Sequence, residues 1–193
     1  MGVTEPIRNL EDIEKIKQFY YLKGRWRDYT LFVVGLNTAL RISDLLLLRW
    51  EHVYSFEFGH FYKYLYIQEK KTHKHNQIIL NENVIKAFKI LWNNSQQQVM
   101  PYSFIFRSQK GENQPIHRSR AFIIIKEAVA ELGIEGNISC HSLRKTFGYQ
   151  AWKRGVPPAI IMEIYNHSSL KITKRYLAIN QDDKDLVFTN LLI

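Results

Sequence analysis

The sequence predicts a mainly α-helical domain with one small antiparallel β-hairpin, which is an α+β fold. Apolar residues recur at helical spacing through most of the chain, and they alternate with a period of two between residues 62 and 80. With 193 residues, of which 46% are hydrophobic, the chain is long enough to bury one core. We therefore expect residues 1–193 to form a single domain.

The first two helices are predicted from their ends. Asn9 and Asp12 have the spacing of a capping pair, so we expect a helix over residues 10–23, which Gly24 ends. Its apolar residues fall on one helical face. A second apolar helix is expected over residues 27–40.

Arg41 falls at a predicted junction between helices. Ser43 or Asp44 begins a short helix that runs through Leu48. A side chain at such a junction can project into a cleft, so Arg41 is a candidate site residue.

The period-two alternation predicts the hairpin. Residues 62–68 form its first strand and residues 77–80 its second, with residues 73–76 as the turn. Lys71 then lies near the tip of the hairpin.

Helical spacing returns after the hairpin. Gly155 and Pro157 end one of these helices, and Asn180 with Asp183 forms a capping pair for the last one. The predicted helices cover residues 82–98, 118–132, 141–153, 158–165, 169–176 and 181–190.

The composition points to a polyanionic partner in the cytoplasm. The chain has 27 Lys and Arg against 18 Asp and Glu, a net charge of +9, which suits a phosphate backbone but also a merely soluble basic protein. Cys140 is the single cysteine, so no intrachain disulfide can form and a reducing compartment is expected. The sequence has no signal-peptide core and no apolar run near the roughly 18 residues of a membrane span, so we expect a soluble protein.

Four short motifs follow one another in a fixed order. The first is Arg-Ile-Ser-Asp, which begins at Arg41, and the second is Glu-Lys-Lys-Thr-His-Lys, which contains Lys71. The third is His-Ser-Leu-Arg, in which His141 and Arg144 are three residues apart. In the fourth, His167 precedes Tyr176 by nine residues. In that order and spacing, the set resembles the catalytic residues of the tyrosine recombinases, the phage integrase family. The resemblance covers about residues 9–178.

This resemblance implies an enzyme that breaks and rejoins double-stranded DNA without a metal or nucleotide cofactor. Tyr176 would attack a phosphodiester and hold the DNA as a 3′-phosphotyrosyl ester. Two guanidinium groups can stabilise the charge that grows on the phosphate, and Lys71 can protonate the departing 5′ oxygen. Imidazole titrates near neutrality and can donate to a phosphate oxygen or move the tyrosine proton. The implied catalytic residues are Arg41, Lys71, His141, Arg144, His167 and Tyr176.

Other polar residues are expected to support this site. Asp44 matches an acidic position that orients catalytic cations, although it also fits a helix cap. Lys71 matches the family lysine best because it directly precedes Thr72, while its neighbours in a charged run usually form a solvated face. The DNA-binding residues are expected to be Lys70, Lys74, Lys145, Lys171, Lys174 and Arg175.

Two positions depart from the family pattern. Asn166 replaces the usual glycine before His167, and asparagine tolerates the left-handed backbone that such a turn requires. Ala39 stands where glycine is often found before Leu-Arg, and alanine calls for an ordinary negative φ.

The family pattern begins almost at the first residue, so we expect no separate N-terminal DNA-binding domain. The chain is then either a minimal recombinase or an excised catalytic domain. Residues 180–193 are expected to form an assembly helix, with a homotetramer on synapsed DNA and a monomer when free. Two other functions fit the sequence: a type IB topoisomerase-like nicking and closing enzyme, and a non-catalytic DNA-binding accessory protein. A Cys140 nucleophile and a metal site at His73 and His75 are weaker alternatives.

Overall fold

The computed structural model describes residues 4–71, 73–95, 98–179 and 181–191, except for the side chains of Asp182 and Leu186. The protein is mainly helical, with short antiparallel strand pairs, as the sequence predicts. The helices are α1 (Leu10–Leu22), α2 (Trp26–Thr38), α3 (Ile42–Leu45), α4 (Glu82–Asn93), α5 (Arg118–Glu131), α6 (Cys140–Lys153), α7 (Pro158–Ile164), α8 (Leu170–Leu177) and α9 (Gln181–Asn190).

Helix α2 forms the centre of the main core. It packs against α1, α4 and α6, and most of its residues are buried, including Leu31, Phe32 and Val34. Helix α1 lays its apolar face on this core, and its predicted cap is confirmed because the Asn9 side chain accepts a hydrogen bond from the Glu11 N–H (2.9 Å). The sequence pattern of one apolar face on α1 and a nearly continuous apolar α2 matches these positions.

Three predicted helix ends are wrong. Helix α2 stops at Thr38 because Ala39 turns left-handed, and α3 ends at Leu45 instead of Leu48. Helix α4 ends at Asn93, five residues before the predicted end, where asparagine and serine compete with the helix for backbone hydrogen bonds.

The predicted hairpin is present. Strand β3 (Tyr64–Gln68) pairs with β4 (His75–Ile79), and Gln68 lies opposite His75 at the end of the ladder. The turn therefore begins after Gln68, earlier in the chain than the predicted turn. A second pair, β1 (Tyr54–Ser55) with β2 (His60–Phe61), was not predicted because strands of two residues carry no periodic signal.

A small second cluster packs α7 and α8 against α6. Its buried members are Ala39, Ile161, Tyr165 and Leu177. The Tyr165 ring crosses α6 at Gly148, where a Cβ would overlap the tyrosine hydroxyl, so this crossing requires glycine. The cluster fixes the turn between α7 and α8, which places His167 and Tyr176 beside α6.

Helix α9 has the predicted bounds, whereas its predicted cap, Asn180, lies outside the described residues. The buried Asp183 carboxylate attaches its first turn to the same chain: it accepts hydrogen bonds from Arg8 (3.1 Å) and Tyr149 (3.1 Å) and lies 3.6 Å from the Lys153 ammonium. No described helix is both long and apolar enough to cross a bilayer.

Candidate active site

Arg41 lies at the junction between α2 and α3, as predicted. It precedes α3 in an extended conformation (φ −68°, ψ 145°), and its side chain is only 17% exposed. Ala39 has φ 56°, so the expectation of an ordinary φ for this residue is wrong. A left-handed alanine costs about 1–2 kcal/mol. The Ala39 carbonyl accepts a hydrogen bond from the Arg144 guanidinium, and this bond offsets that cost.

Arg144 is buried where α6 meets the α2–α3 junction. Its guanidinium donates to the Ala39 carbonyl and to the Tyr165 carbonyl (2.8 Å), and it stacks 4.5 Å from the centre of the Tyr165 ring. Burial lowers the pKa of Arg144, and the nearby Arg41 charge lowers it further. The two arginines thus lie together in a partly desolvated pocket, where they interact strongly with any anion.

Glu69 completes this pocket and was missed in the sequence. Its fully buried carboxylate forms an ion pair with Arg41 and lies 3.9 Å from the Arg144 Nη1. Its position follows the alternation of β3, because Leu65 and Ile67 point to the same inner side. Extending that period by one step would have marked Glu69 as an inward acid within a basic segment.

Asp44 holds the base of the hairpin. Its buried carboxylate accepts a hydrogen bond from the Lys70 backbone N–H (3.1 Å), and its side chain does not cap α3. Asp44 therefore fixes the backbone of the residue before Lys71, and this hydrogen bond does not orient a catalytic cation. Lys71 itself is exposed on the turn.

Two histidine rings enclose the Tyr176 ring. The Tyr176 centroid lies 4.9 Å from that of His141 and 4.4 Å from that of His167. His167 Nδ1 lies 3.0 Å from Thr173 Oγ1, while its buried Nε2 has no partner among the described residues. Burial lowers the pKa of each histidine to about 4, with a further contribution from nearby cations, so both rings are neutral at pH 7.

Tyr176 is half-buried in the last turn of α8. The turn that leads into α8 has Asn166 at φ 53°, so the predicted left-handed asparagine is confirmed. The Asn166 side chain donates to the side-chain oxygen of Asn76 on β4 (2.8 Å), which ties this turn to the hairpin. The site therefore brings together residues of the α2–α3 junction, the hairpin, α6, and the turn and helix that follow α7.

Comparison with known proteins identifies this arrangement. The model of the phage integrase family matches residues 9–183. The chain belongs to the phage integrase family. Its members are tyrosine recombinases, enzymes that break and rejoin DNA strands through a 3′-phosphotyrosyl intermediate.

The relatives differ in length. The chain is 36% identical over 189 residues to the probable integrase/recombinase YoeC of Bacillus subtilis, covering 94% of this chain and 93% of that protein. It is 27% identical to the tyrosine recombinase XerA of Pyrococcus furiosus, covering 80% of this chain but 51% of XerA. The chain therefore spans nearly all of one relative and about half of the other.

Solved structures show the same fold. A crystal structure of XerA recombinase superposes with a TM-score of 0.77 at 19% identity, over 100% of this chain and 68% of that one. A lambda integrase dimer bound to a COC′ core site gives a TM-score of 0.69 at 16% identity, over 95% of this chain and 50% of that one. The mainly α-helical domain is thus a tyrosine recombinase catalytic fold.

The predicted DNA-binding residues fall into two groups. Lys70, Lys74, Lys171, Lys174 and Arg175 are exposed. Lys145 is buried: its ammonium donates to the Thr4 carbonyl (2.7 Å) and lies 5.8 Å from the centre of the Tyr176 ring.

The alternative chemistries gain no support from the geometry. Burial raises the pKa of the Cys140 thiol to about 11, so it is protonated and a poor nucleophile at pH 7. Within the described part of the chain, no three His, Cys, Asp or Glu side chains form a metal-binding group.

Proposed function

We propose that this chain is a site-specific recombinase in which Tyr176 is the nucleophile. The observation that carries the proposal is the packing of the Tyr176 ring between His141 and His167, whose pKa values are lowered by burial and, further, by nearby cations. A hydroxyl in that place can attack a phosphate bound by the two guanidinium groups. The product is a 3′-phosphotyrosyl ester and a free 5′ hydroxyl.

Each side chain has one role in this reaction. Arg41 and Arg144 donate to the non-bridging oxygens, where negative charge grows as Tyr176 attacks. His167 Nε2 has no hydrogen-bond partner among the described residues, and when Nδ1 accepts from the Thr173 hydroxyl, Nε2 carries the proton and donates to one of those oxygens. His141 accepts the tyrosine proton as a neutral imidazole. Lys71 protonates the leaving 5′ oxygen from the hairpin turn, and Asp44 fixes the base of that turn.

The substrate is double-stranded DNA. The net charge of +9 favours binding to its phosphates, and exposed cations lie on the hairpin and on α8, close in sequence to Lys71 and Tyr176. Lys145 is left out of this surface because its ammonium is already bound inside the protein. The DNA-contacting residues proposed are Lys70, Lys74, Lys171, Lys174 and Arg175.

Assembly on DNA is proposed to use α9. Asp183 anchors the first turn of this helix on its own chain, whereas Val187, Phe188 and Leu191 are exposed. Exposed apolar groups of this size favour contact with another protein surface. Free monomers assemble in the cytoplasm into a tetramer on two synapsed duplexes. In this tetramer, each α9 binds the surface of a neighbouring protomer.

The test is capture of the covalent intermediate. The protein is incubated with a library of nicked duplexes of random sequence, from which cleavage releases a short strand and leaves the adduct trapped. We expect a denaturation-resistant adduct on Tyr176, located by mass spectrometry, and one recurring sequence among the captured strands. No adduct, or an adduct on another residue, would refute the assignment. Strand exchange between two duplexes with the captured site separates a recombinase from a topoisomerase, which would relax supercoiled DNA without exchange.

A further inference from the structure

Glu69 places a buried negative charge inside a site that must bind a phosphate. Its side chain is fully buried and forms an ion pair with Arg41, and its other oxygen is 3.9 Å from Arg144. A buried carboxylate is costly to desolvate unless it is well paired, so its place between two cations is a specific arrangement.

The backbone of Glu69 is part of the hairpin turn. The Glu69 N–H donates to the Lys74 carbonyl (2.9 Å), and the Glu69 carbonyl accepts from the His73 N–H (2.8 Å). These bonds close the hairpin turn. The backbone of Glu69 is therefore fixed at the start of the turn that carries Lys71.

Glu69 also belongs to a chain of hydrogen bonds across the site. Its Oε1 accepts from the Asn76 side-chain amide (3.1 Å), and the Asn76 oxygen accepts from Asn166 (2.8 Å), the residue before His167. One carboxylate thus connects the hairpin, both arginines and the turn before α8.

The two arginines need such a partner before DNA binds. Burial lowers the pKa of Arg144, and the Arg41 charge lowers it further, so each cation disfavours the other. Arg144 has two backbone carbonyls as acceptors, whereas the described anionic partner of Arg41 is Glu69. Preorganised donors stabilise a transition state best because they do not have to be moved into place during the reaction.

We propose that Glu69 is a positioning residue that holds Arg41 beside Arg144 in the DNA-free protein, ready for the scissile phosphate. It does not touch the DNA. The inference rests on the proposed function, since it assigns a role within the same reaction.

Asp28 supplies a matched control. It is also a buried carboxylate between two arginines, accepting from Arg25 Nε (2.9 Å) and Arg27 Nε (3.0 Å), but it belongs to the first turn of α2, away from the catalytic residues. Asp28→Asn therefore reproduces the loss of a buried Arg–carboxylate–Arg contact without altering the site.

The first experiment needs no DNA. The arginine Nε–H signals of the ¹⁵N-labelled protein are assigned with Arg41→Lys and Arg144→Lys. We expect the Arg41 signal to be resolved in the wild type, to move to the averaged position of exposed arginines in Glu69→Gln, and to be unchanged in Asp28→Asn. An unchanged Arg41 signal in Glu69→Gln would overturn the proposal. If the wild type forms no adduct, the proposed function falls, while these spectra still decide whether Glu69 holds Arg41.

The second experiment measures single-turnover cleavage of the captured nicked site at saturating protein. We expect Glu69→Gln to cleave about 10- to 100-fold more slowly, the effect of a small misplacement of a catalytic group, with DNA affinity retained. A 5′-bridging sulfur, which makes Lys71 unnecessary, should not restore its rate; full restoration would mean that Glu69 acts through Lys71 instead.

Asn76→Ala keeps the test decisive if Glu69→Gln does not fold. It removes the amide that holds the Glu69 Oε1, so the carboxylate that pairs with Arg41 is less firmly oriented. We expect a loss of cleavage in the same direction and a partial shift of the Arg41 signal. Wild-type cleavage together with an unchanged signal would overturn the proposal, as would an equal loss of cleavage in Asp28→Asn.

Discussion

Two neighbouring tyrosines should respond in opposite ways to the loss of a hydroxyl. The ring centroids of Tyr165 and Tyr176 are 5.3 Å apart. Tyr165 is fully buried and donates its hydroxyl to the Arg144 carbonyl, and burial raises its pKa. Tyr176 is half-buried and contacts both histidines. The first hydroxyl supports the fold, and the second is the proposed nucleophile.

The magnitudes follow from these contacts. Tyr165→Phe removes one buried hydrogen bond, worth about 1 kcal/mol, which lowers the Tm of a domain of this size by about 2–4 °C. Tyr176→Phe keeps its ring contacts, so the free energy of unfolding should change by less than about 0.5 kcal/mol. Covalent attachment to DNA should nevertheless disappear in Tyr176→Phe and persist in Tyr165→Phe.

Thermal unfolding and denaturing gels with a nicked substrate measure both effects on the same preparations. An adduct on the Tyr176→Phe protein would remove Tyr176 as the nucleophile. Loss of the adduct in a folded Tyr165→Phe protein would show that the two roles have been assigned to the wrong residues.

Three further outcomes are expected. Lys71→Ala should slow cleavage of an ordinary duplex. A 5′-bridging sulfur should restore the rate of this variant, because a thiolate leaves without a proton. If the sulfur restores Lys74→Ala instead, Lys74 is the general acid. Because His141 and His167 have pKa values of about 4 in the folded protein and about 6.5 in the unfolded chain, the unfolded chain binds more protons between these values. Stability should therefore fall as the pH drops from 6.5 to 4, and urea titrations should show a smaller fall in the His141→Gln, His167→Gln protein; an equal fall would mean that the rings are solvated. Cys140→Ala should keep full adduct formation. Iodoacetamide should label the wild-type thiol slowly at pH 8, since its pKa is raised to about 11. Loss of the adduct in a folded Cys140→Ala protein would mean that the thiol takes part in the reaction.

Local signals in the sequence determined much of the fold. The Asn9 cap and the apolar spacing after it placed α1, and period-two alternation placed the β3–β4 hairpin, because both depend on residues a few positions apart. A left-handed Asn166 was expected because asparagine, which tolerates that backbone, stands where the family usually has glycine. The order of the motifs also identified the family, since the reaction requires those residue types in one site.

Tertiary structure alone decided which charges are buried and with what partner. Lys145 and Lys171 look equally suited to DNA in the sequence, yet Lys145 is bound to Thr4, 141 residues away. The left-handed Ala39 is explained by its bond to Arg144, 105 residues away, and Glu69 became visible as a site residue only when it met both arginines. Propensity and periodicity act within a few residues, whereas desolvation and ion pairing depend on where distant elements meet, so the sequence determined the elements and the chemistry, and packing decided how the site is held together.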